Sequence, residues 1–179
     1  MPIFKILSFD IKCAGRKGIF PEANHDFIIL TANMLMRHGE KEPFLRHVFT
    51  LNTSAPSYKK ETELMEAWNK FVRHFDPNIL TSYNIKNFDV PHPLNRAQHL
   101  KVKNFDVIKN TMNQSKQMGR RENKQANFES RVLFDLLSVL FRDYKLRFYT
   151  LNSVSYNLLQ KQKKEDHHNI ITDLQNKSE

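Results

Sequence analysis

The chain has 179 residues, a length that suits one compact domain, and 28 Lys and Arg against 19 Asp and Glu give it a net charge of +9. Hydrophobic residues make up 40% and aromatic residues 11%, with 14 Phe, which excludes general disorder and provides for a core. No apolar run reaches the roughly 18 residues that a membrane-spanning helix needs, and Cys13, the single cysteine, excludes an internal disulfide. Met1-Pro2-Ile3-Phe4-Lys5 has no signal-peptide layout, so the expected setting is intracellular. The basic balance points to an anionic partner, nucleic acid first.

Residues 3–11 are apolar with few interruptions, which predicts a strand buried on both faces. Turn residues from Gly15 to Pro21 follow. Apolar runs at 27–32 and 46–51 predict two further strands, and the short connections predict an antiparallel meander. Leu64, Met65, Trp68, Phe71, Val72 and Phe75 form one helical stripe, closed by Asp76-Pro77. Ile79 to Tyr83 reads as a short strand and Asn84 to Asp89 as the loop leaving it. A helix is predicted to continue through Arg96 and Leu100; Pro91 suits its first turn, and Pro93 fits less easily. Residues 104–130 are polar and predict a loop or protruding hairpin. Phe134 to Phe141 and Thr150 to Leu159 predict two more helices. The order predicts an α/β domain with a mixed sheet flanked by helices.

The charge is uneven, with twelve Lys and Arg against five Asp and Glu between residues 96 and 147. Solvated surface helices and an ordinary loop would produce this, and so would a surface that tracks phosphates, with Lys116, Arg120, Arg121 and Lys124 projecting from it.

Asp10 near the end of the first strand is the most informative acid. Such a residue needs a hydrogen bond, a counter-ion or a metal. Residue 12 shares its strand face, where a second acid would form an Asp-x-Glu clamp for magnesium; here it is Lys12. Asp89 stands where a loop enters a helix. Interaction with the helix dipole explains it as simply as metal binding does.

The stretch from Leu7 to Pro21, which contains Asp10-Ile11-Lys12-Cys13-Ala14-Gly15-Arg16, resembles the first exonuclease motif of family-B DNA polymerases, most of all the delta type of eukaryotes. Tyr83-Asn84-Ile85-Lys86-Asn87-Phe88-Asp89-Val90-Pro91 resembles the second motif. The stretches Arg96-Ala97-Gln98, Gln114 to Arg121, Tyr144 to Arg147 and Ile170 to Asn176 extend the resemblance colinearly over nearly the whole chain. It implies a ribonuclease-H-like (DnaQ-like) exonuclease fold. It also implies two divalent ions, Mg2+ or Mn2+, held by carboxylates for in-line 3′→5′ cleavage. Asp10 and Asp89 match the first- and second-motif catalytic and metal-binding acids. Asn84 and Phe88 match positions that hold a single-stranded 3′ end. Single-stranded DNA or a primer 3′ end is the implied partner, with other polymerase subunits and a nuclear location, and no membrane.

Three departures accompany the resemblance. Lys12 replaces the glutamate of Asp-Ile-Glu, and an ammonium has donors only, so it cannot ligate a hard cation. The Tyr-x-x-x-Asp third motif is absent from the final residues. The expectation is therefore a single, incomplete, C-terminally truncated domain over 1–179, with impaired catalysis and weak or absent metal binding. Ser82 stands at a family glycine, and Pro93 at an apolar helical position. Lys12 is expected either to pair with Asp10, and with Asp89, or to reach solvent from the strand end. The alternative to an exonuclease is a non-catalytic nucleic-acid- or partner-binding remnant that uses the basic 96–147 segment.

Other residues invite structural readings. His167-His168 lacks zinc-finger spacing and reads as a surface pair. Cys13 reads as a small buried hydrophobe, and Asp135 as a helix cap.

Overall fold

In a computed structural model, residues 3–16, 19–51, 60–103, 105 and 131–161 are described. Five strands form one mixed sheet: β1 (Lys5–Cys13), β2 (Ile28–Arg37), β3 (Leu45–Thr50), β4 (Ile79–Ser82) and β5 (Val132–Asp135). They lie in the order β3-β2-β1-β4-β5. The first three strands make the expected antiparallel meander; β4 and β5 run parallel to β1. Among the described residues, four α-helices accompany the sheet: α1 (Glu61–Phe75), α2 (Pro91–His99), α3 (Leu136–Asp143) and α4 (Leu151–Leu159).

β1 is the central strand, yet it is fully buried on one face only. Leu7, Phe9, Ile11 and Cys13 alternate inward, whereas Asp10 on the other face is exposed. This corrects the two-faced burial predicted for the first strand. The inward face meets α1 and α2 through Leu64, Met65, Trp68, Val72, Leu94 and Ala97. Period-two alternation on the strand and the helical stripe on α1 thus build one core between them. Phe9 packs against Trp68 with ring centroids 5.3 Å apart. The indole N–H of Trp68 donates to Asn33 Oδ1 at 2.9 Å, so its one polar atom is satisfied inside the core.

The helix ends follow local chemistry. Glu61 and Glu63 lie in the first turn of α1, where the helix dipole favours acids. Asp76 ends the helix in the left-handed region at φ 44°, donating its N–H to Val72 O, and Pro77 follows. Pro91 opens α2, and Pro93 is accommodated within its first turn, where the backbone N–H groups have no partner inside the helix. The Asn84–Asp89 segment, read as a loop, is instead a wide helical turn over Ile85–Asp89, closed by the Val90 N–H on Ile85 O at 3.1 Å. Such i→i+5 turns recur at functional sites.

The predicted helix from Phe134 starts two residues late. Phe134 and Asp135 pair with Thr81 and Ser82 of β4, so the sheet claims them first. Asp135 then caps α3, accepting from the Leu137 and Ser138 N–H groups. This is the capping role expected of it. Thr150 caps α4 by accepting from the Ser153 N–H. Tyr83 at the exit of β4 donates its hydroxyl to Tyr149 O at 2.7 Å, tying the approach to α4 back to the sheet. Among the described residues, no helix is long and apolar enough to cross a membrane.

Candidate functional site

The site is built where β1 outruns β4. Parallel pairing of the two strands runs from Ile6–Ile79 to Ser8–Thr81. The Lys5 N–H, on the same strand edge as those of Leu7, Phe9 and Ile11, donates to the Asn78 side chain on the β4 side. Farther along that edge, beyond the last paired residue, the Ile11 N–H donates to Asp89 Oδ1 at 3.3 Å. The wide turn after β4 carries Asp89 back to β1 and sets its carboxylate against the backbone between Asp10 and Lys12.

Asp89 is buried, with 3% exposure. Its second oxygen, Oδ2, accepts from the Ser82 hydroxyl. Burial pushes the Asp89 carboxyl above its ordinary value, and the nearby Asp10 charge adds to the rise. The Ser82 and Ile11 hydrogen bonds and Lys12 oppose it. Ser82, noted in the sequence only as a departure from a family glycine, is therefore a direct partner of the second candidate acid. A hydroxyl at that position was the available signal.

Asp10 lies on the open face of β1, and its side chain is half exposed. The Lys12 ammonium donates to Asp10 Oδ2, forming an ion pair along one strand face. Of the two readings of Lys12, pairing with Asp10 describes its position. The same ammonium also reaches the Ile11 carbonyl at 3.5 Å.

Asn84 opens the wide turn. Its carbonyl accepts from the Phe88 N–H at 3.1 Å, and its Oδ1 accepts from Asn87 Nδ2 at 2.8 Å. Phe88 is half-buried and meets Phe20 edge to face, with centroids 5.0 Å apart. Phe20 itself is 68% exposed, so an open aromatic surface stands beside Phe88, the residue before Asp89 in the chain. Nothing in its spacing singled out Phe20; it lies in a turn segment whose packing partner is 68 positions away. Lys116, Arg120, Arg121 and Lys124, together with the His167-His168 pair, lie outside the described residues.

A buried polar cluster holds the loop that precedes β2. Glu61 and Arg96 pair at 2.8 Å, each about 10% exposed. Glu61 also accepts from the Ile28 N–H at 2.7 Å, and Arg96 donates to Ala23 O at 3.1 Å. Arg16 reaches Asp26 and Glu22 in the same loop. Cys13 is buried as expected, but its neighbour is polar: His92 Nε2 lies 3.2 Å from Sγ and 3.1 Å from Asp26 O. Burial, assisted by Glu61 and Asp26, pushes the Cys13 thiol up to about 12, so it is a neutral thiol and not a nucleophile.

Carboxylates that hold two hard cations must cluster with free oxygen lone pairs. Among the described residues no group of three His, Cys, Asp or Glu side chains is gathered in that way. One of the two candidate acids is paired with an ammonium, and both oxygens of the other already accept hydrogen bonds. The described residues at this strand end therefore do not by themselves make a two-metal centre.

The sheet order, the meander followed by parallel strands, and the meeting of Asp10 with Asp89 at the strand end define a polymerase-type exonuclease fold. The family described as DNA polymerase family B, exonuclease domain, matches residues 1–154, and the chain belongs to that family. It is 61% identical to the DNA polymerase delta catalytic subunit of Drosophila melanogaster, over 98% of this chain and 18% of that protein. It is 48% identical to the DNA polymerase delta catalytic subunit of Bos taurus, over 96% of this chain and 17% of that protein. The structure of the family B DNA polymerase from the hyperthermophilic archaeon Pyrobaculum calidifontis superposes with a TM-score of 0.72 at 18% identity. That match covers 98% of this chain and 21% of the archaeal one. The chain thus spans under a fifth of the length of these curated relatives.

Proposed function

We propose that the chain is a region of the delta-type 3′→5′ proofreading exonuclease that receives a single-stranded DNA end and whose hydrolytic centre is impaired. The observation that carries this reading is the Lys12–Asp10 ion pair beside buried Asp89. An acid that would hold a divalent cation is engaged by a fixed ammonium instead. Binding to a primer 3′ end is supported by the exposed Phe20 ring stacked edgewise on Phe88, because an open aromatic face accepts a base of any identity. The setting of its relatives extends the reading to DNA replication, contact with other polymerase subunits and a nuclear location.

A second reading, a non-catalytic nucleic-acid- or partner-binding role, is favoured by the charge surplus between residues 96 and 147. One experiment separates the readings. The chain and its Lys12→Glu variant are incubated with 3′-labelled single-stranded DNA in Mg2+ and then in Mn2+. The expected result for the unaltered chain is no metal-dependent shortening, with 3′-end binding that is weakened by Phe20→Ala; binding without shortening that falls steeply with salt favours the second reading. Metal-dependent shortening at the rate of an intact exonuclease domain would refute the impairment. Binding that survives Phe20→Ala but is lost on neutralising Lys116, Arg120 and Arg121 would favour the second reading.

A further inference from the structure

We propose that Lys12 is a built-in counter-cation of the Asp10/Asp89 pair, so that this site holds a single-stranded nucleic-acid end without a divalent metal. The proposal rests on the DNA-binding reading above for its ligand and on the ion pair for its chemistry. Two carboxylates at the end of a sheet repel a phosphodiester, and a site that is to receive one needs positive charge there. Lys12 supplies it from two positions along the same strand face as Asp10. Its side chain is only 20% exposed, so the ammonium is held against the acid and the Ile11 carbonyl, not extended into solvent.

The rest of the site accords with a cation that never leaves. Asp89 is held by the Ile11 N–H and the Ser82 hydroxyl, partners supplied by the chain itself. Ile11 lies between Asp10 and Lys12, so one short piece of β1 contacts both acids and provides the cation. With Lys12 charged, Asp10, Lys12 and Asp89 carry one net negative charge when both acids are ionised; a glutamate at position 12 would make it three.

The test measures metal and nucleic acid separately, on the full chain and on the Lys12→Glu and Lys12→Gln variants. Mn2+ binding is read by electron paramagnetic resonance. Binding of fluorescein-labelled oligo-dT is read by anisotropy in EDTA and in Mg2+ at matched ionic strength, with circular dichroism as the check on folding. The unaltered chain is expected to bind oligo-dT equally in both buffers and to bind Mn2+ more weakly than Lys12→Glu. Lys12→Glu is expected to gain Mn2+ binding, to lose oligo-dT affinity in EDTA by about tenfold, and to recover it in Mg2+. Lys12→Gln, which removes the ammonium without adding an acid, is expected to lose less affinity and to gain less metal. The proposal is overturned if the unaltered chain binds Mn2+ as tightly as Lys12→Glu, if its oligo-dT binding disappears in EDTA, or if Lys12→Glu gains no metal. Should the unaltered chain bind oligo-dT in neither buffer, the proposal of a metal-free nucleic-acid site is overturned together with the DNA-binding reading. The Mn2+ comparison then stands alone as a measure of the counter-cation.

Discussion

The half of the molecule built from β1 to β4 with α1 and α2 differs sharply from the half built from β5, α3 and α4. In the first, α1 alone buries Leu64, Met65, Trp68, Asn69 and Val72. In the second, α3 buries only Leu140 and α4 only Val154. Val132, Phe141, Phe148 and Leu159 are more than half exposed. Both halves have helices with an apolar stripe, so the difference teaches that amphipathicity announces a face without saying what covers it. The two candidate acids both belong to the first half but differ in burial. Asp89 is enclosed by the first half, and Asp10 looks out from it, paired with Lys12.

The largest test of this contrast is a matched pair of truncations. Trp68→Ala should cost about 3–5 kcal/mol in chemical denaturation, because it opens a cavity beside Phe9 and orphans the Asn33 acceptor. Leu159→Ala, at a residue 66% exposed, should change stability by no more than about 0.5 kcal/mol. Equal effects would dissolve the distinction between the halves.

A second pair compares ion bridges. Arg96→Ala leaves Glu61 buried without its partner and should cost about 3–5 kcal/mol. Arg142→Ala removes an exposed bridge to Asp143 on α3 and should leave the melting temperature unchanged within error. Thermal denaturation of both variants reads the outcome.

The smallest expected effect is a pH dependence confined to the first half. Burial lowers the pKa of His92, which faces Cys13 and the Asp26 carbonyl and feels Glu61, Arg96 and Asp26. A histidine depressed in the folded state contributes its stability above its unfolded value of 6.5, and that stability is lost as pH falls through that value. The loss should be no more than about 1.4 kcal/mol per pH unit from this one group. Urea denaturation between pH 7 and pH 5 should show the chain losing stability relative to His92→Gln. Parallel curves would show that His92 protonates freely in the folded chain.

Much of the first half was legible in the sequence, and for a physical reason. The α1 stripe, the alternation of β1 and the Asp76-Pro77 stop are short-range patterns, and a large buried surface enforces them. The two candidate acids were legible because each sits inside a resembling motif. Phe134 was misread because its apolar neighbours fit a helix equally well, and only pairing with Thr81 made it a strand. Two-faced burial of β1 was misread because a run such as Ile6-Leu7-Ser8-Phe9 does not reveal which of its faces a helix will cover. The Glu61–Arg96 bridge and the Phe20–Phe88 contact join residues far apart in the chain, and no local spacing encodes them.

By itself the sequence determined the order of elements apart from β5 and the wide turn, the family pattern around Asp10 and Asp89, and the replacement of an acid by Lys12. These depend on residue type and short spacing. Only the tertiary structure decided that the Lys12 ammonium lies on Asp10 while Ser82 and the Ile11 N–H hold Asp89. That outcome depends on where β1 outruns β4 and how the wide turn returns to it. Such a junction is made by strand register and packing, which bring groups together that the chain keeps apart.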